Sequence, residues 1–597
     1  MKATDSYGTL FNQGNALMEL GRPAEALGSY ECVLRLRPDF EPALRAHARA
    51  LLRLRRFEDA LTSIERYRML YPDRAEAYAG RGVALFELRR IEEALESYDR
   101  AIALNPALAV THFHRAVALT VQGAYAEAID AYARVLEIEP DCPWALGARA
   151  HLQLMLCDWS SWPQAQQLES AIAHGEPVII PLSLCAFTDS PSLQLQCART
   201  YVGKSFPRAP QALWTGERYG HDRIRVAYLS ADLRSHPVAY ALVGVLERHD
   251  RRRFEITALS LRPQEDSPFG RRVQSAVERF VDVQLHSDAE VAQLIRTLEI
   301  DVLVDLQGHT LGTRAGILAR RAAPIQVNFL GFPATMGARY IDYIIADDVV
   351  IPPSADDGYA EQVVRLPHCY LPFDNRQSVA EWIPTRSELG LPEKGFVFCA
   401  FNNTYKITPP LFDIWMSLLR RTRASVLWLR FADRVAMANL RREAVARDVG
   451  PERLVFAEIM PGLADHLARL QLADLFLDTL PYNAHVTAAH ALWTGVPVLT
   501  CPGRSFAARV GASLLRAAGV SQLIARDLQH YESLAIQLAS SPEVLADVRA
   551  SLQRNRNSCA LFDTDRFRRA LECAYATMWQ RAEEGKAPQG FAVAPSR

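Results

Sequence analysis

The sequence lacks both an excess of charge of one sign and any long apolar run. Its 67 basic and 68 acidic residues give a formal net charge of -1 over 597 residues. A chain without a basic surplus offers no overall attraction to nucleic acid or to an anionic membrane, and no run of about 18 apolar residues could span a bilayer. The first residues also lack the pattern of a secretory signal. We therefore expect a cytoplasmic protein that binds neither nucleic acid nor membranes.

Paired cysteines and the common nucleotide and metal motifs are also missing. The ten cysteines are scattered, so we expect reduced thiols and no zinc site. There is no G-x-G-x-x-G after a predicted strand, no Walker loop and no H-E-x-x-H. The D-x-D of Asp563 and Asp565 opens a predicted helix, where N-capping explains it better than metal binding. The sequence therefore predicts no metal and no cofactor.

The N-terminal part contains a repeat of 34 residues. Four columns recur at this spacing: Gly14, Ala48, Gly82 and Ala116; Leu17, Leu51, Leu85 and Leu119; Ala26, Ala60, Ala94 and Ala128; Pro38, Pro72, Pro106 and Pro140. Each unit is predicted to be a helix pair, in which small residues allow close approach and proline ends the unit. The columns resemble the tetratricopeptide repeat, in four copies over about residues 6–140 with a fifth first helix at 143–157.

Such an array is an α-helical solenoid, which we assign to residues 1–157. Solenoids of this kind present a concave groove that holds extended peptides, so we expect partner proteins or peptides to bind there. A dimerisation or spacer role is the alternative, because the fold alone does not determine the function. Residues 158–222 are rich in tryptophan and proline and are predicted to be a linker that packs on its neighbours.

Strand and helix patterns alternate from Arg223 onward. β-rich runs from RIRVAYLSAD to YIDYIIAD form one group, and runs from FVFCAFN to VPVLTC form another. The alternation predicts two parallel sheets covered by helices, that is, an α/β region of two Rossmann-like halves with a cleft between them. The boundary near WIPTRSELGLPEKG gives an N-terminal half at 223–385 and a C-terminal half at 386–582. Residues 583–597 are predicted to be a disordered tail.

Ligands of such sheets bind outside the carboxyl ends of the strands. Lys406 follows the first strand of the second half, and it is one of only five lysines among the 67 basic residues, which favours a phosphate ligand over a solvated surface lysine. His485 and Thr487 open a helix after a later strand, where they form an anion site or merely cap the helix. His236, kept out of a helix by Pro237, faces the cleft from the other half, where it is a functional residue or, as is more common for a histidine at a helix cap, a structural one. Together, the lysine and the helix end suggest a diphosphate.

The segments RVAYLSADLRSHP, APIQVNFLGFPATMG, FCAFNNTYKITP, QLADLFLDT and HVT with LWTGVPVLT occur in this order. They resemble the O-linked N-acetylglucosamine transferase family, glycosyltransferase family 41. With the repeat array, the resemblance covers nearly the whole chain. It points to the bacterial members, which have shorter arrays and lack the long insertion of the animal enzymes. The resemblance implies the GT-B fold.

The resemblance also implies an inverting, metal-independent transfer of N-acetylglucosamine from its uridine diphosphate donor, UDP-GlcNAc, to serine or threonine hydroxyls of proteins. Carried over by motif, Lys406 neutralises the leaving diphosphate, and His236 is a catalytic histidine near sugar and acceptor. His236 is one candidate general base, and a phosphate oxygen or a water chain are others. The same resemblance assigns the donor site to Leu330, Gly331, Pro333, Asn403, Lys406, Ile459, Met460, His466, His485, Val486 and Thr487.

The helix after HVT departs from the pattern of the animal enzymes. Val486 stands where they have a threonine, and His490 stands where they have an aspartate. Related Spindly-type proteins share this architecture and transfer fucose from guanosine diphosphate fucose, GDP-fucose, so a protein O-fucosyltransferase is the first alternative. A repeat scaffold with an inactive transferase region is the second, and a sugar-nucleotide epimerase is the third.

Overall fold

The computed structural model describes residues 3–209, 211–430, 433–460 and 462–595. Two compact units are present, one with the helices up to Leu152 together with Leu285–Val291, the other with the remaining described residues. No helix in the described ranges is both long and apolar enough to cross a membrane. The N-terminal helices are α1 Ala3–Glu19, α2 Pro23–Leu36, α3 Glu41–Arg53, α4 Phe57–Leu70, α5 Ala75–Glu87, α6 Ile91–Leu104, α7 Ala109–Gln122, α8 Tyr125–Ile138 and α9 Ala145–Met155.

The small-residue column brings the two helices of each repeat together. A Cβ added to Gly14 would lie 2.5 Å from a ring carbon of Tyr30, and one added to Gly82 would overlap the ring of Tyr98 in the same way. The large ring of the second helix therefore fills the space that the small residue of the first helix leaves. This packing confirms the predicted tetratricopeptide array.

The predicted linker contains three helices, α10 Ala165–Ala173, α11 Pro181–Leu184 and α12 Pro191–Ser205. After it, the first sheet contains eight parallel strands in the order β13-β7-β6-β5-β4-β1-β2-β3. Its strands are β1 Ile224–Ser230, β2 Phe254–Ser260, β3 Arg279–Asp282, β4 Val302–Asp305, β5 Ile325–Asn328, β6 Tyr343–Asp347, β7 Gln362–Leu366 and β13 Phe591–Ala592, and the helices between them are α13 Pro237–Arg248, α14 Pro268–Ser275 and α15 Asp288–Thr297.

The second sheet contains five parallel strands in the order β10-β9-β8-β11-β12. They are β8 Val397–Ala400, β9 Val426–Arg430, β10 Leu454–Ala457, β11 Leu475–Leu477 and β12 Val498–Leu499. The helices are α16 Pro409–Arg421, α17 Arg434–Val445, α18 Leu463–Leu470, α19 Val486–Trp493, α20 Val510–Ala517, α21 Leu528–Ser540, α22 Pro542–Asn555 and α23 Thr564–Glu583. A helical array followed by two parallel α/β sheets is the fold class that the sequence predicts. We call the two sheets with their helices the first and the second half.

The C-terminal residues correct two boundaries of the sequence prediction. The sequence predicts that residues 564–581 form a helix that packs across both halves, within the bounds of the second half; this helix, α23, packs on α13, β5 and β7 of the first. The prediction of a disordered tail at 583–597 is wrong for the residues described, up to 595. Phe591 and Ala592 pair in parallel with β7, and Val593 donates its backbone N–H to the Arg365 carbonyl oxygen at 2.9 Å. The composition of this segment is typical of a disordered tail and gives no sign of the short strand β13, which covers the open edge of β7.

The chain crosses between the halves twice, through residues 367–396 after β7 and through residues 556–563 before α23. The two crossings touch. Thr564 Oγ1 donates to the Phe373 carbonyl oxygen at 2.7 Å, and the rings of Phe373 and Phe562 lie 4.9 Å apart. Asp563, at the start of α23, accepts the N–H of Arg566 at 2.8 Å, which is the predicted N-cap.

Candidate active site

Strand order reverses once in each sheet, at β1 in the first half and at β8 in the second. Strand β1 has β2 on one side and β4 on the other, and β8 likewise lies between β9 and β11. Loops that leave such neighbouring strands in opposite directions open a crevice at the carboxyl ends of the strands. His236 follows β1, Lys406 follows β8 and His485 follows β11. All three predicted residues therefore lie at a crevice.

Lys406 is buried in a short 3-10 turn, Thr404–Lys406, and is 8% exposed. Its Nζ donates to the Asn483 carbonyl oxygen at 2.8 Å and lies 3.8 Å from the centroid of the Tyr482 ring. Burial lowers the pKa of Lys406 to about 7, although the charge of Asp478 acts in the opposite direction. No carboxylate of the described residues forms an ion pair with this ammonium. An anion that enters the site would therefore be strongly attracted.

Asp478, directly after β11, fixes the loop that leads to α19. Its carboxylate accepts the backbone N–H of Thr479 at 2.8 Å and that of Ala484 at 2.6 Å. Asn483 Nδ2 donates to the Thr479 carbonyl oxygen at 2.6 Å. Burial raises the pKa of Asp478 to about 6, against these hydrogen bonds and the charge of Lys406. The carbonyl group that Lys406 binds is thus held in place from within its own loop.

Helix α19 begins directly after this loop, with His485 at the N-cap position. The side chain of His485 makes no capping hydrogen bond, so the first-turn amides, including those of Val486 and Thr487, are available to an anion. The buried Nε2 of His485 has no hydrogen-bond partner in the described part of the chain. Burial and the neighbouring Lys406 lower the pKa of His485 well below its usual value. The ring is therefore neutral.

A cavity of about 270 Å³ lies beside this helix end, between the two halves. The first half contributes Pro237 and Tyr240. The second half contributes Phe401, Arg430, Ala457, Glu458, Ile459, Met460, Leu463, His466, Arg469, Val486, Thr487 and His490. Five predicted donor-site residues thus line one cavity: Ile459, Met460, His466, Val486 and Thr487.

His466 and Arg469 lie on one face of α18. Arg469 Nη2 donates to His466 Nδ1 at 3.0 Å, and the guanidinium carbon lies 5.4 Å from the centroid of the Phe401 ring. Burial, with the charge of Arg469, lowers the pKa of His466 to about 3. The imidazole is therefore neutral, and because Nδ1 accepts a hydrogen bond, Nε2 carries the hydrogen.

The cavity has a buried polar side chain, His490, on one helix and an exposed apolar side chain, Ile459, on a loop. His490, on the second turn of α19, is 5% exposed, and its Nε2 has no partner among the described residues. Burial lowers the pKa of His490 to about 4, so this ring is neutral too. Ile459, in contrast, is 75% exposed and is followed by Met460. This apolar pair, of which Ile459 is exposed and Met460 is partly buried, can cover the face of a planar ring.

His236 lies at the N-cap of α13, where its Nδ1 accepts the backbone N–H of Val238 at 3.3 Å. Asp232 Oδ2 lies 3.8 Å from the same nitrogen. Burial lowers the pKa of His236, and the charge of Asp232 partly opposes this. In the neutral ring the hydrogen then lies on Nε2, which makes His236 a hydrogen-bond donor to its surroundings in this tautomer.

The loop after β5 contains Leu330, Gly331 and Pro333. Leu330 has a φ of +69°, and a Cβ on Gly331 would overlap the Leu306 carbonyl oxygen. The loop therefore lies directly on the turn after β4, at the crevice of the first sheet. These three residues do not line the cavity, and neither do His236, Asn403, Lys406 and His485. Asn403 Oδ1 accepts a hydrogen bond from Arg430, which does line it.

Arg430 and Arg469 were not predicted as site residues. Arg430 ends β9 at the carboxyl edge of the sheet, so its position alone could have indicated it. Arg469 follows His466 by three residues, a spacing that places both on one helix face. In the described ranges, no group of three or more His, Cys, Asp or Glu side chains is arranged to hold a metal ion.

Two known families match the chain. The family described as "Glycosyl transferase family 41" matches residues 208–382 and 376–571, and the "Tetratricopeptide repeat" family matches residues 45–109. The chain is 34% identical over 433 residues to the probable UDP-N-acetylglucosamine--peptide N-acetylglucosaminyltransferase SEC of Arabidopsis thaliana, covering 70% of this chain and 44% of that protein.

A protein of Caenorhabditis elegans named UDP-N-acetylglucosamine--peptide N-acetylglucosaminyltransferase is 28% identical over 475 residues, covering 61% of this chain and 41% of its own length. The chain thus spans less than half the length of these curated relatives. Among solved structures, a mutant O-GlcNAc transferase of Thermobaculum terrenum matches 98% of this chain and 99% of its own, with 28% identity and a TM-score of 0.63.

Proposed function

Because the chain belongs to glycosyl transferase family 41, we propose that it is a protein O-N-acetylglucosaminyltransferase that uses UDP-GlcNAc as donor. The observation that supports this most strongly is the pairing of buried Lys406 with the uncapped N-terminus of α19 at one crevice. A cation and a row of amides at one point form a site for a diphosphate. Serine and threonine hydroxyls of proteins are the proposed acceptors.

The diphosphate is the leaving group of the proposed reaction. The acceptor oxygen attacks the anomeric carbon from the face opposite the diphosphate, so the configuration inverts as the bond to the phosphate oxygen breaks. Negative charge then grows on that oxygen. Lys406 and the amides of Val486 and Thr487 stabilise the developing charge more than the ground state, which raises the rate. These groups supply the positive charge, and we therefore propose that no metal is needed.

The nucleoside is proposed to occupy the 270 Å³ cavity. Ile459 and Met460 would cover the base at the mouth of the cavity. Neutral His466 would contact the nucleoside with its ring and donate its Nε2–H to a nucleoside oxygen. His490 lines the same cavity from α19, and its buried Nε2 has no partner among the described residues. A buried polar atom without a partner costs free energy, which a ribose hydroxyl that reached it would offset.

The sugar is proposed to lie toward the first half, against the loop of Leu330, Gly331 and Pro333. The acceptor hydroxyl would then approach the sugar from the side of His236, at the N-cap of α13. In the tautomer set by Val238, the Nε2–H of His236 serves as a donor to a sugar or acceptor oxygen. The hydroxyl proton then goes to a phosphate oxygen or a water chain, unless His236 adopts its other tautomer and accepts it.

A donor-preference measurement tests the function. The full chain is incubated with a serine- and threonine-containing peptide library and either radiolabelled UDP-GlcNAc or radiolabelled GDP-fucose, with a chelator present. We expect labelled peptide from UDP-GlcNAc only. Label from GDP-fucose only would establish the O-fucosyltransferase alternative, and isomerised free donor would indicate an epimerase. If the chain bound UDP but transferred neither sugar, the result would support the alternative of a repeat scaffold with an inactive transferase region.

The affinity for UDP should fall as the pH rises above 7. The pKa of Lys406 is about 7 in the free protein, and a bound diphosphate raises it, so binding takes up a proton wherever the free lysine is neutral. The affinity is then highest below pH 7 and decreases above it by up to about tenfold per pH unit. Between pH 7 and 9 the diphosphate is largely ionised, because its terminal phosphate has a pKa of about 6, so the pH dependence measured by calorimetric titration over this range comes mainly from the lysine.

Lys406→Ala is the control for this measurement. The variant should bind UDP more weakly and with little change between pH 7 and 9, because it has no ammonium to lose. If the variant kept the slope of the wild type, a different group would be titrating and the assignment to Lys406 would fail.

A further inference from the structure

Helix α3 of the repeat array carries a stripe of exposed arginines. Arg45, Arg49 and Arg53 follow one another at intervals of four residues, and all three are exposed. Residues at this spacing lie on one face of a helix and about 6 Å apart along its axis. The stripe thus presents three positive charges over about 12 Å.

These arginines have no carboxylate partner among the described residues, and the phenol of Tyr30 is the neighbour of Arg49. Several arginines elsewhere in the array form ion pairs with nearby carboxylates. The donor–acceptor distances are 2.7 Å for Arg56 with Asp59, 2.9 Å for Arg81 with Glu65 and 2.6 Å for Arg115 with Asp99. The charge of the α3 stripe is therefore left uncompensated within the array.

The repeat fold does not require arginine at these positions. The equivalent residues, 34 positions away in the other repeats, have different chemistry: Phe11, Ala79 and Phe113 for Arg45; Asn15, Val83 and Val117 for Arg49; Glu19, Glu87 and Val121 for Arg53. Apolar, amide and acidic side chains all satisfy the same packing. The arginines of the second repeat are thus free to serve a purpose other than holding the helices together.

The stripe lies on the row of first helices, which is the inner side of the array. The first helices of successive repeats pack on one another, α1 on α3, α3 on α5 and α5 on α7. The row in which neighbours approach each other is the inside of a curved array. In the next helix of this row, Ala79 and Val83 have short side chains at the positions equivalent to Arg45 and Arg49. They leave room beside the stripe for the backbone of another chain.

We infer that the α3 stripe binds an extended, acidic segment of a partner protein. In an extended chain every second side chain points the same way, at intervals of about 6.4–6.8 Å, which matches the 6 Å spacing of the arginines. Carboxylates at alternate positions could each reach one guanidinium, and such pairs form two parallel hydrogen bonds. The partner class is therefore a polypeptide with aspartate or glutamate at every second position.

The surroundings favour a short acidic peptide over a nucleic acid. Glu19 and Glu87, at the positions equivalent to Arg53 on the two flanking helices, place negative charge on either side of the stripe. Glu87 is balanced in part by Arg55, at 3.5 Å, so Glu19 supplies most of this negative charge. A phosphate backbone that continued beyond α3 would be repelled by these carboxylates, whereas two or three side-chain carboxylates remain within the stripe.

Fluorescence anisotropy with the full chain and no donor sugar tests this inference, so the result does not depend on the proposed transferase activity. The probe is a fluorescein-labelled peptide with glutamate at every second of ten positions, and the reference peptide has glutamine instead. We expect at least about tenfold tighter binding of the glutamate peptide in 50 mM salt, with a marked loss at 200 mM.

Two double variants with equal charge change separate the stripe from the general surface. Arg45→Glu with Arg49→Glu should abolish the preference for the glutamate peptide. Arg35→Glu with Arg100→Glu, which changes exposed arginines of the second helices α2 and α6, should retain it within about twofold. Circular dichroism checks the fold, and Arg45→Gln with Arg49→Gln replaces the first variant if it unfolds.

Three outcomes would overturn the inference: equal binding of the two peptides by the wild-type chain, an equal loss of binding in both double variants, or displacement of the glutamate peptide by a single-stranded oligonucleotide of the same charge at lower concentration. The last result would assign the stripe to nucleic acid instead.

Discussion

Replacing Lys406 by alanine should lower the rate of the proposed sugar transfer by about 10²- to 10³-fold, as the loss of one preorganised charge or donor at a developing oxyanion does. The ammonium is buried, is held by the Asn483 carbonyl oxygen and contacts the face of Tyr482. Because it already occupies its position before the donor binds, little reorganisation is needed during the reaction. Alanine removes the charge and leaves a buried space that water fills poorly.

The measurement is kcat at saturating UDP-GlcNAc with a single acceptor peptide. Lys394→Ala is the matched control, since Lys394 is an exposed lysine close to β8 in the chain, and it should keep the activity of the wild type. A Lys406→Ala enzyme that retained more than a tenth of the wild-type kcat would show that the lysine does not stabilise the leaving group.

Replacing Gly331 by alanine should reduce transfer by about 10²-fold while the affinity for UDP changes by less than about threefold, because a misplacement of about 1 Å near a reacting centre has such an effect. The added Cβ would overlap the Leu306 carbonyl oxygen, which is backbone and cannot rotate away. The loop that holds Leu330 and Pro333 must therefore shift. Overpacking of this kind also costs about 1–3 kcal/mol of stability.

Activity, UDP titration and thermal unfolding together check this second prediction. Gly203→Ala is the control, because a Cβ at Gly203, on helix α12, meets no atom within 4 Å. It should leave all three measurements near those of the wild type. Unchanged transfer in Gly331→Ala would place the sugar away from this loop, and an equal loss of UDP affinity would mean that the substitution disturbs both halves.

The fold could be predicted wherever packing acts directly on a repeated or strongly apolar pattern. The 34-residue columns record contacts such as that of Gly14 with Tyr30, and the central strands are continuous apolar runs. Edge strands gave no such signal. Strand β3, Arg279–Asp282, is partly exposed and bounded by charged residues, and β13 has two residues. Their pairing depends on an open neighbouring edge, which only the folded sheet provides.

The candidate site, like the fold, has features that the sequence predicts and features that it does not. The positions of Lys406 and His485 follow from the rule that loops at the carboxyl ends of parallel strands form ligand sites. The sequence could not show that Lys406 bonds to Asn483, 77 positions away, or that Asp478 fixes that loop. Burial, which sets the pKa of Lys406 and His466, likewise arises from segments far apart in the chain. These properties depend on tertiary structure alone.

The contact between the two crossing segments has a mechanical consequence. Phe373, in the first crossing, touches Phe562, in the second, and Thr564 just beyond it, so both covalent connections between the halves pass through one point. The halves also touch directly beside this point, where Ser513 of α20 donates to Asp347 of β6 at 2.5 Å and Tyr370 of the first crossing donates its backbone N–H to the same carboxylate. A joint built of such neighbouring contacts favours rotation about it over sliding along the interface. We therefore expect the cleft to widen and narrow as an angular movement, in which His236 and Lys406, on opposite walls, change their separation while the crossing residues stay almost still.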